Sequence, residues 1–149
     1  DIIINQCSSV GEAVDILRKM ITVPYMKIDE PMAEKAVEIG GNIAVIGTVS
    51  STLEPSCRLI EKTAEKLGKE VKVKPVLLDG VVDLLSTEEG KKKHDEIVCN
   101  EVYKQAEDND VVVLAQASMH RIKEKLKITK VPVLSSPETA FEAVKKILG

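Results

Sequence analysis

Several residue types that would narrow a function quickly are scarce in this chain. It has no Trp, and aromatic residues make up 2% of the sequence, so it lacks the stacking rings that single-stranded nucleic acids use. The formal charge is -3, with no basic excess, and the densest basic run, Lys91 to Lys93, is flanked by Glu88, Glu89, Asp95 and Glu96. Such a run reads as a solvated helix start, and nucleic acid is excluded as a partner. No apolar run approaches the roughly 20 residues that a spanning helix needs, and no segment has the layout of a secretory signal, so no membrane role is expected and the expected location is cytoplasmic. Cysteine occurs only at positions 7, 57 and 99, an odd number with no Cys-x-x-Cys spacing and no paired His. That pattern argues against a disulfide framework and a zinc site, and leaves three free thiols.

What is present suits an ordinary α/β domain. With 149 residues, 44% hydrophobic and 30% charged, the chain can bury a core as one domain or two small lobes. Apolar runs of strand length alternate with helix-period segments, the pattern of parallel strands with crossover helices. Strands are predicted near residues 1–6, 24–28, 43–47, 70–78, 110–115 and 132–134. Helices are predicted over 11–20, 31–39, 53–67, 91–107, 119–125 and 137–148, with a short one near 81–85. Gly40-Gly41-Asn42 stops one helix and marks a lobe boundary.

One motif occurs twice. Asp1-Ile2-Ile3-Ile4-Asn5-Gln6-Cys7-Ser8-Ser9 matches Asp110-Val111-Val112-Val113-Leu114-Ala115-Gln116-Ala117-Ser118, and each copy runs on to a Val-Pro strand, Val23-Pro24 and Val131-Pro132. Cys7 stands 109 residues before Gln116, and Pro24 stands 108 before Pro132, so one gap preserves the register. The expected architecture is two pseudo-symmetric lobes with parallel sheets flanked by helices and a ligand held between them. Residues 1–40 form the later part of the first lobe and a crossover helix, 41–136 the second lobe, and 137–149 a helix returning to the first. The chain has no initiator Met and enters a strand at once, so the N-terminal part of the first lobe is expected to be absent.

In such folds ligands collect at the carboxyl ends of strands, where helix N-termini present backbone N–H groups to anions. Three strand ends here carry small hydroxyl residues: Cys7-Ser8-Ser9, Thr48-Val49-Ser50-Ser51 and Gln116-Ala117-Ser118. Ser9 with Glu12, and Ser51 with Glu54, have capping-box spacing, so these hydroxyls either cap helices or meet a carboxylate. Cys7, between a strand and a helix start, lies where the macrodipole favours a thiolate. Cys57 and Cys99 fall at helical spacing with apolar residues and read as core. His94, among lysines and acids, reads as surface; His120, four residues after Gln116, is a candidate proton donor.

The Asn5–Glu12 loop, the Thr-rich segment Thr48-Val49-Ser50-Ser51-Thr52-Leu53-Glu54-Pro55 and Ala115-Gln116-Ala117-Ser118-Met119 together resemble the aspartate, glutamate and hydantoin racemase superfamily over essentially the whole chain. The resemblance implies a site between two α/β lobes and proton transfer next to a carboxylate without a cofactor. It makes Cys7 the catalytic base, and in place of a second thiol a substitute such as His120 or a residue of the absent N-terminal segment has to supply the proton. Ser8, Ser9, Thr48, Ser51, Gln116, Ala117 and Ser118 become contacts to an amino acid or related small carboxylate, and Glu30, in Glu30-Pro31, a carboxylate near the site. Gln116 stands where the second cysteine of two-thiol members would be, and an amide has no useful proton to transfer. A decarboxylase or lyase using one cysteine, and a non-catalytic carboxylate-binding protein, are therefore the alternatives to a racemase-like isomerase. An apolar rim on the first lobe would suit a homodimer.

Overall fold

A computed structural model describes residues 1–149. Two parallel sheets carry the fold. In the smaller, β1 (Ile3–Asn5) pairs with β2 (Tyr25–Lys27); the larger has β3 (Asn42–Gly47), β4 (Lys72–Leu77), β5 (Val111–Leu114) and β6 (Val133–Ser135) in the order β4-β3-β5-β6. The helices are α1 (Gly11–Leu17), α2 (Glu30–Ile39), α3 (Ser50–Lys66), α4 (Glu88–Gln105), α5 (His120–Lys123) and α6 (Ser136–Leu148). Tight 3-10 turns occupy Ser8–Val10, Val81–Ser86 and Ala117–Met119, so the short helix expected near residue 81 is a 3-10 turn.

The larger sheet is covered on both faces, which explains its unbroken runs of Val and Ile. On one face Ile43, Val45, Val111, Val113 and Leu134 meet Met32, Ala33, Ala36 and Val37 of α2 and Leu53, Cys57 and Ile60 of α3. On the other, Ala44, Ile46, Val112, Leu114 and Val133 meet Val98 and Val102 of α4 and Ile122 of α5. All four residues of β5 are fully buried. At about 1.5–3 kcal/mol per buried aliphatic side chain, such a strand contributes on the order of 6–12 kcal/mol before chain entropy is subtracted. The edge strand β4 carries exposed Lys72, Lys74 and Pro75, residue types that blunt an edge against further pairing.

The duplicated motif is a duplicated structure. Ile3, Ile4 and Asn5 pair with Tyr25, Met26 and Lys27, and their counterparts Val112, Val113 and Leu114 pair with Val133, Leu134 and Ser135. Both copies then enter a 3-10 turn and a short helix: Ser8–Val10 into α1, Ala117–Met119 into α5. The backbone link repeats too, from the Ile3 N–H to the Pro24 carbonyl at 2.8 Å and from the Val112 N–H to the Pro132 carbonyl at 3.0 Å. Surroundings differ, however. The smaller sheet leaves Ile3 42% and Met20 75% exposed, and Ile16 and Leu17 of α1 also face solvent.

Helix α2 connects the two sheets, packing on α3, β5 and α6. It ends at Gly40, where an added Cβ would stand 2.2 Å from the Asp110 Cβ. That close approach lets the Asp110 carboxylate accept the Asn42 N–H at 2.7 Å and tie the start of β3 to the start of β5. Helix α6 lies against α2 and β6, with Lys35 and Glu142 3.6 Å apart.

Two expectations need correction. His94 is not at the surface: it is 1% exposed, because α4 begins at Glu88 and this turn already faces inward. The proposed capping boxes do not form either. The residues at the N-cap positions of α1 and α3 are Val10 and Val49, neither with a side-chain cap, because a 3-10 turn intervenes before α1 and α3 starts two residues earlier than the box requires.

Candidate active site at the strand ends

The loops after β1, β3 and β5 carry the candidate residues. Cys7 and Gln116 occupy equivalent positions, each extended (φ -118, ψ 108 and φ -111, ψ 131) just before its 3-10 turn. Asn5 fixes the backbone of Cys7 from both sides: its Oδ1 accepts the Cys7 N–H at 3.2 Å and its Nδ2 donates to the Cys7 carbonyl at 3.0 Å. The thiol itself stays exposed. Burial pushes the Cys57 thiol up to about 11, and the same cause raises Cys99. Those two are thereby held as neutral thiols.

Gln116 is half-buried and bonded to the β3 loop. Its Oε1 accepts the Thr48 N–H at 2.7 Å and the Thr48 hydroxyl at 2.9 Å. A backbone N–H can only donate, so the atom facing it must be the amide oxygen. The orientation of the side chain is thus settled, and its NH2 points away from Thr48 with both protons to give.

A second bond joins the loops of β1 and β3. The Ser9 hydroxyl donates to the Ser51 carbonyl at 2.8 Å. Pro55, inside α3, has no N–H to return to the carbonyl four residues earlier, which leaves the Ser51 oxygen without its helical donor. The proline therefore creates the acceptor that Ser9 uses. Ser8 turns the other way, toward the buried carboxyl of Asp29. Burial raises Asp29 above the ordinary carboxylate range, and the Ser8 hydroxyl partly offsets this. Ser8 and Asp29 border a cavity of about 30 Å³ with Gly11, Lys27 and Arg58.

The structure thus bonds Ser9 to Ser51 and Thr48 to Gln116, while Cys7 and Ser8 share the loop of Ser9, and Ala117 and Ser118 lie on the turn that follows Gln116. Glu30 and His120 also have partners outside these loops. Glu30 takes both terminal nitrogens of Arg18, one at 2.7 Å, and accepts the Lys27 N–H at 3.0 Å, so it closes the smaller sheet onto α1 and α2. The His120 Nδ1 is 2.8 Å from the buried Ser135 hydroxyl at the end of β6, and the ring borders a surface groove with Pro137, Glu138 and Phe141. Sequence reasoning missed Asn5, Asp29 and Pro55. Asn5 was findable, since Asn two residues before a turn commonly bonds that backbone; the roles of Asp29 and Pro55 depend on contacts between distant segments.

Parallel strands, helices on both faces and polar strand-end loops with a thiol on one repeat and an amide on the other define an α/β protein with two matched strand-end loops. A family model described as Asp/Glu/Hydantoin racemase matches residues 1–144, and the chain belongs to that family. Among solved structures it is similar to glutamate racemase isoform RacE1 from Bacillus anthracis (TM-score 0.73, 20% identity, covering 99% of this chain and 57% of that one). It is likewise similar to allantoin racemase from Pseudomonas fluorescens (TM-score 0.66, 19% identity, 99% and 62%). Arylmalonate decarboxylase also matches (TM-score 0.60, 13% identity, 99% and 68%). No curated protein matches in sequence. The chain therefore spans about three fifths of the length of the two racemases. No helix is long and apolar enough to cross a membrane.

Proposed function

We propose that this chain carries the proton-transfer site of a cofactor-independent, racemase-like isomerase acting at the α-carbon of an amino acid or related small carboxylate. One observation carries the reading: an exposed thiol and a locked amide stand at equivalent strand ends of the two repeats. The Cys7 thiolate removes the α-proton and becomes a thiol, and the electron pair of the broken C–H bond moves into the carboxylate as an enediolate. That charge needs fixed donors, because an α-proton beside a carboxylate is very weakly acidic. We assign that donation to the Gln116 NH2, the Ser51 and Ser118 hydroxyls and the backbone at Ala117. Ser9 and Thr48 serve the same site less directly, since their hydroxyl protons are engaged with Ser51 and Gln116, and Ser8 lies on the side of Asp29.

Return of the proton from Cys7 regenerates the starting enantiomer, so inversion needs a donor on the opposite face. In the two-thiol pattern a cysteine would stand at Gln116. We assign that role to His120, whose Nε2 is left for it by the bond between Nδ1 and Ser135. A second reading follows from Gln116 itself. An amide that stabilises charge but moves no proton suits a decarboxylase or lyase, which reprotonates its enediolate from one side only.

The test is incubation with a panel of amino and dicarboxylic acids in heavy water. Deuterium at the α-carbon with inversion supports the isomerase. Release of carbon dioxide or another leaving group replaces that reading with the decarboxylase or lyase. Binding without either signal, unchanged in Cys7→Ala, overturns both in favour of a carboxylate-binding protein.

A further inference from the structure

A buried charge with three bonded partners lies outside the strand-end loops. Asp95, on α4, is buried, yet three groups converge on its carboxylate: His94 Nδ1 at 2.9 Å, Arg121 Nη2 at 2.7 Å and Lys125 Nζ at 2.5 Å. Burial alone would raise this carboxyl, but the bonds from Lys125 and His94 and the charges of Arg121 and Lys125 outweigh it and hold Asp95 below its ordinary value. Leaving such a charge without partners would be strongly destabilising, so the site is built to keep its cations in place.

Arg121 does more than neutralise Asp95. Its other terminal nitrogen, Nη1, donates to the Ser118 carbonyl at 2.6 Å. Ser118 lies in the 3-10 turn that opens at Gln116, and the Met119 N–H closes that turn onto the Gln116 carbonyl at 2.9 Å. Joining α4 to α5 requires only the arm toward Asp95, which Lys125 already duplicates. The arm toward Ser118 holds something different: the turn from which the Gln116 side chain reaches Thr48.

We infer that Arg121, anchored by Asp95, is a positioning residue for the Gln116 amide. The planar guanidinium spans a buried carboxylate and a loop carbonyl with separate nitrogens, a fork that a lysine ammonium cannot reproduce. Its catalytic meaning rests on the function proposed above; the placement itself does not, and it can be read without substrate. The Thr48 N–H is bonded to Gln116 Oε1, so its exchange with solvent reports how often that amide is docked.

The experiment is residue-resolved amide hydrogen exchange on the wild type, Arg121→Ala and Lys125→Ala, with the Val112 N–H in the sheet as internal reference. Arg121→Ala is expected to speed Thr48 exchange at least tenfold while Val112 keeps its wild-type rate, and Lys125→Ala to change Thr48 less than twofold. Unchanged Thr48 exchange in Arg121→Ala overturns the inference. So does equal acceleration at Thr48 and Val112, or an equal effect from Lys125→Ala, since either marks a general packing role. Should Arg121→Ala not fold, Arg121→Gln, which keeps one donor arm, is read against the same reference. Where the wild type incorporates α-deuterium, Arg121→Ala should also lower kcat at least tenfold with KM changed less than threefold. A wild type that incorporates none counts against the isomerase reading alone.

Discussion

The Cys7 and Gln116 halves share a strand register, a 3-10 turn and a short helix, yet they live in different surroundings. Val112 is fully buried, whereas its repeat mate Ile3 is 42% exposed. Strand β5 has β3 and β6 beside it; β1 has β2 alone. Local sequence thus sets turn and register equally well in both copies, while burial, and with it chemistry, follows from what lies alongside. The half with neighbours holds a side chain fixed by two bonds to the adjacent loop. The open half presents a thiol fixed only through its backbone.

This contrast can be broken most severely at the sulfur. Cys7→Ala should lower α-proton exchange by about 10³-fold or more, as removal of a proton-transferring group does. Because the side chain is exposed, stability should change by less than about 0.5 kcal/mol, checked by deuterium incorporation and urea unfolding. The matching change on the other half should act on the fold. Gln116→Leu leaves the Thr48 N–H without its acceptor at a buried position, which costs about 1–3 kcal/mol and should appear as a lower urea midpoint.

Acidity sharpens the comparison further, since each half contains a buried carboxyl shifted in the opposite direction. Asp95 is lowered, because its bonds and cationic partners overcome burial, so its contribution is present above the ordinary carboxylate range and is lost as pH falls through its folded value. Asp29 is raised by burial; its contribution is present below the ordinary range and is lost as pH rises through its folded value. In urea midpoints followed from neutral pH into acid, Asp95→Asn should flatten the loss of stability, and Asp29→Asn should steepen it. The smallest expected effect is at the junction between the halves. Ser9→Ala should cost about 0.5–1 kcal/mol, and almost nothing in a Pro55→Ala background, where residue 55 regains the N–H that satisfies the Ser51 carbonyl.

Much of this was legible in the sequence, and the limits have physical causes. The duplication, the parallel α/β class and the three strand-end loops follow from periodicity and from Cys7 and Gln116 standing in register. His94 was misread because charges crowd its neighbours in sequence, while its own turn faces the sheet. Glu30 and His120 were named without their partners, since no spacing rule reveals Arg18 or Ser135. The capping spacing of Ser9 and Ser51 was real, but these residues bond each other across 42 positions of chain. Pairings of that kind are set by tertiary approach, which a local pattern does not encode.

The proline in α3 has one more implication. By freeing a carbonyl at a single point on the helix, Pro55 indexes the turn that carries Ser9 to the pitch of its neighbour. Slipping α3 by one residue between Ser51 and Pro55 would swing that oxygen about 100° around the axis, out of reach of Ser9. The segment of α3 between Ser51 and Pro55 is therefore a ruler, with its length constrained even though Ser51 and Glu54 face solvent.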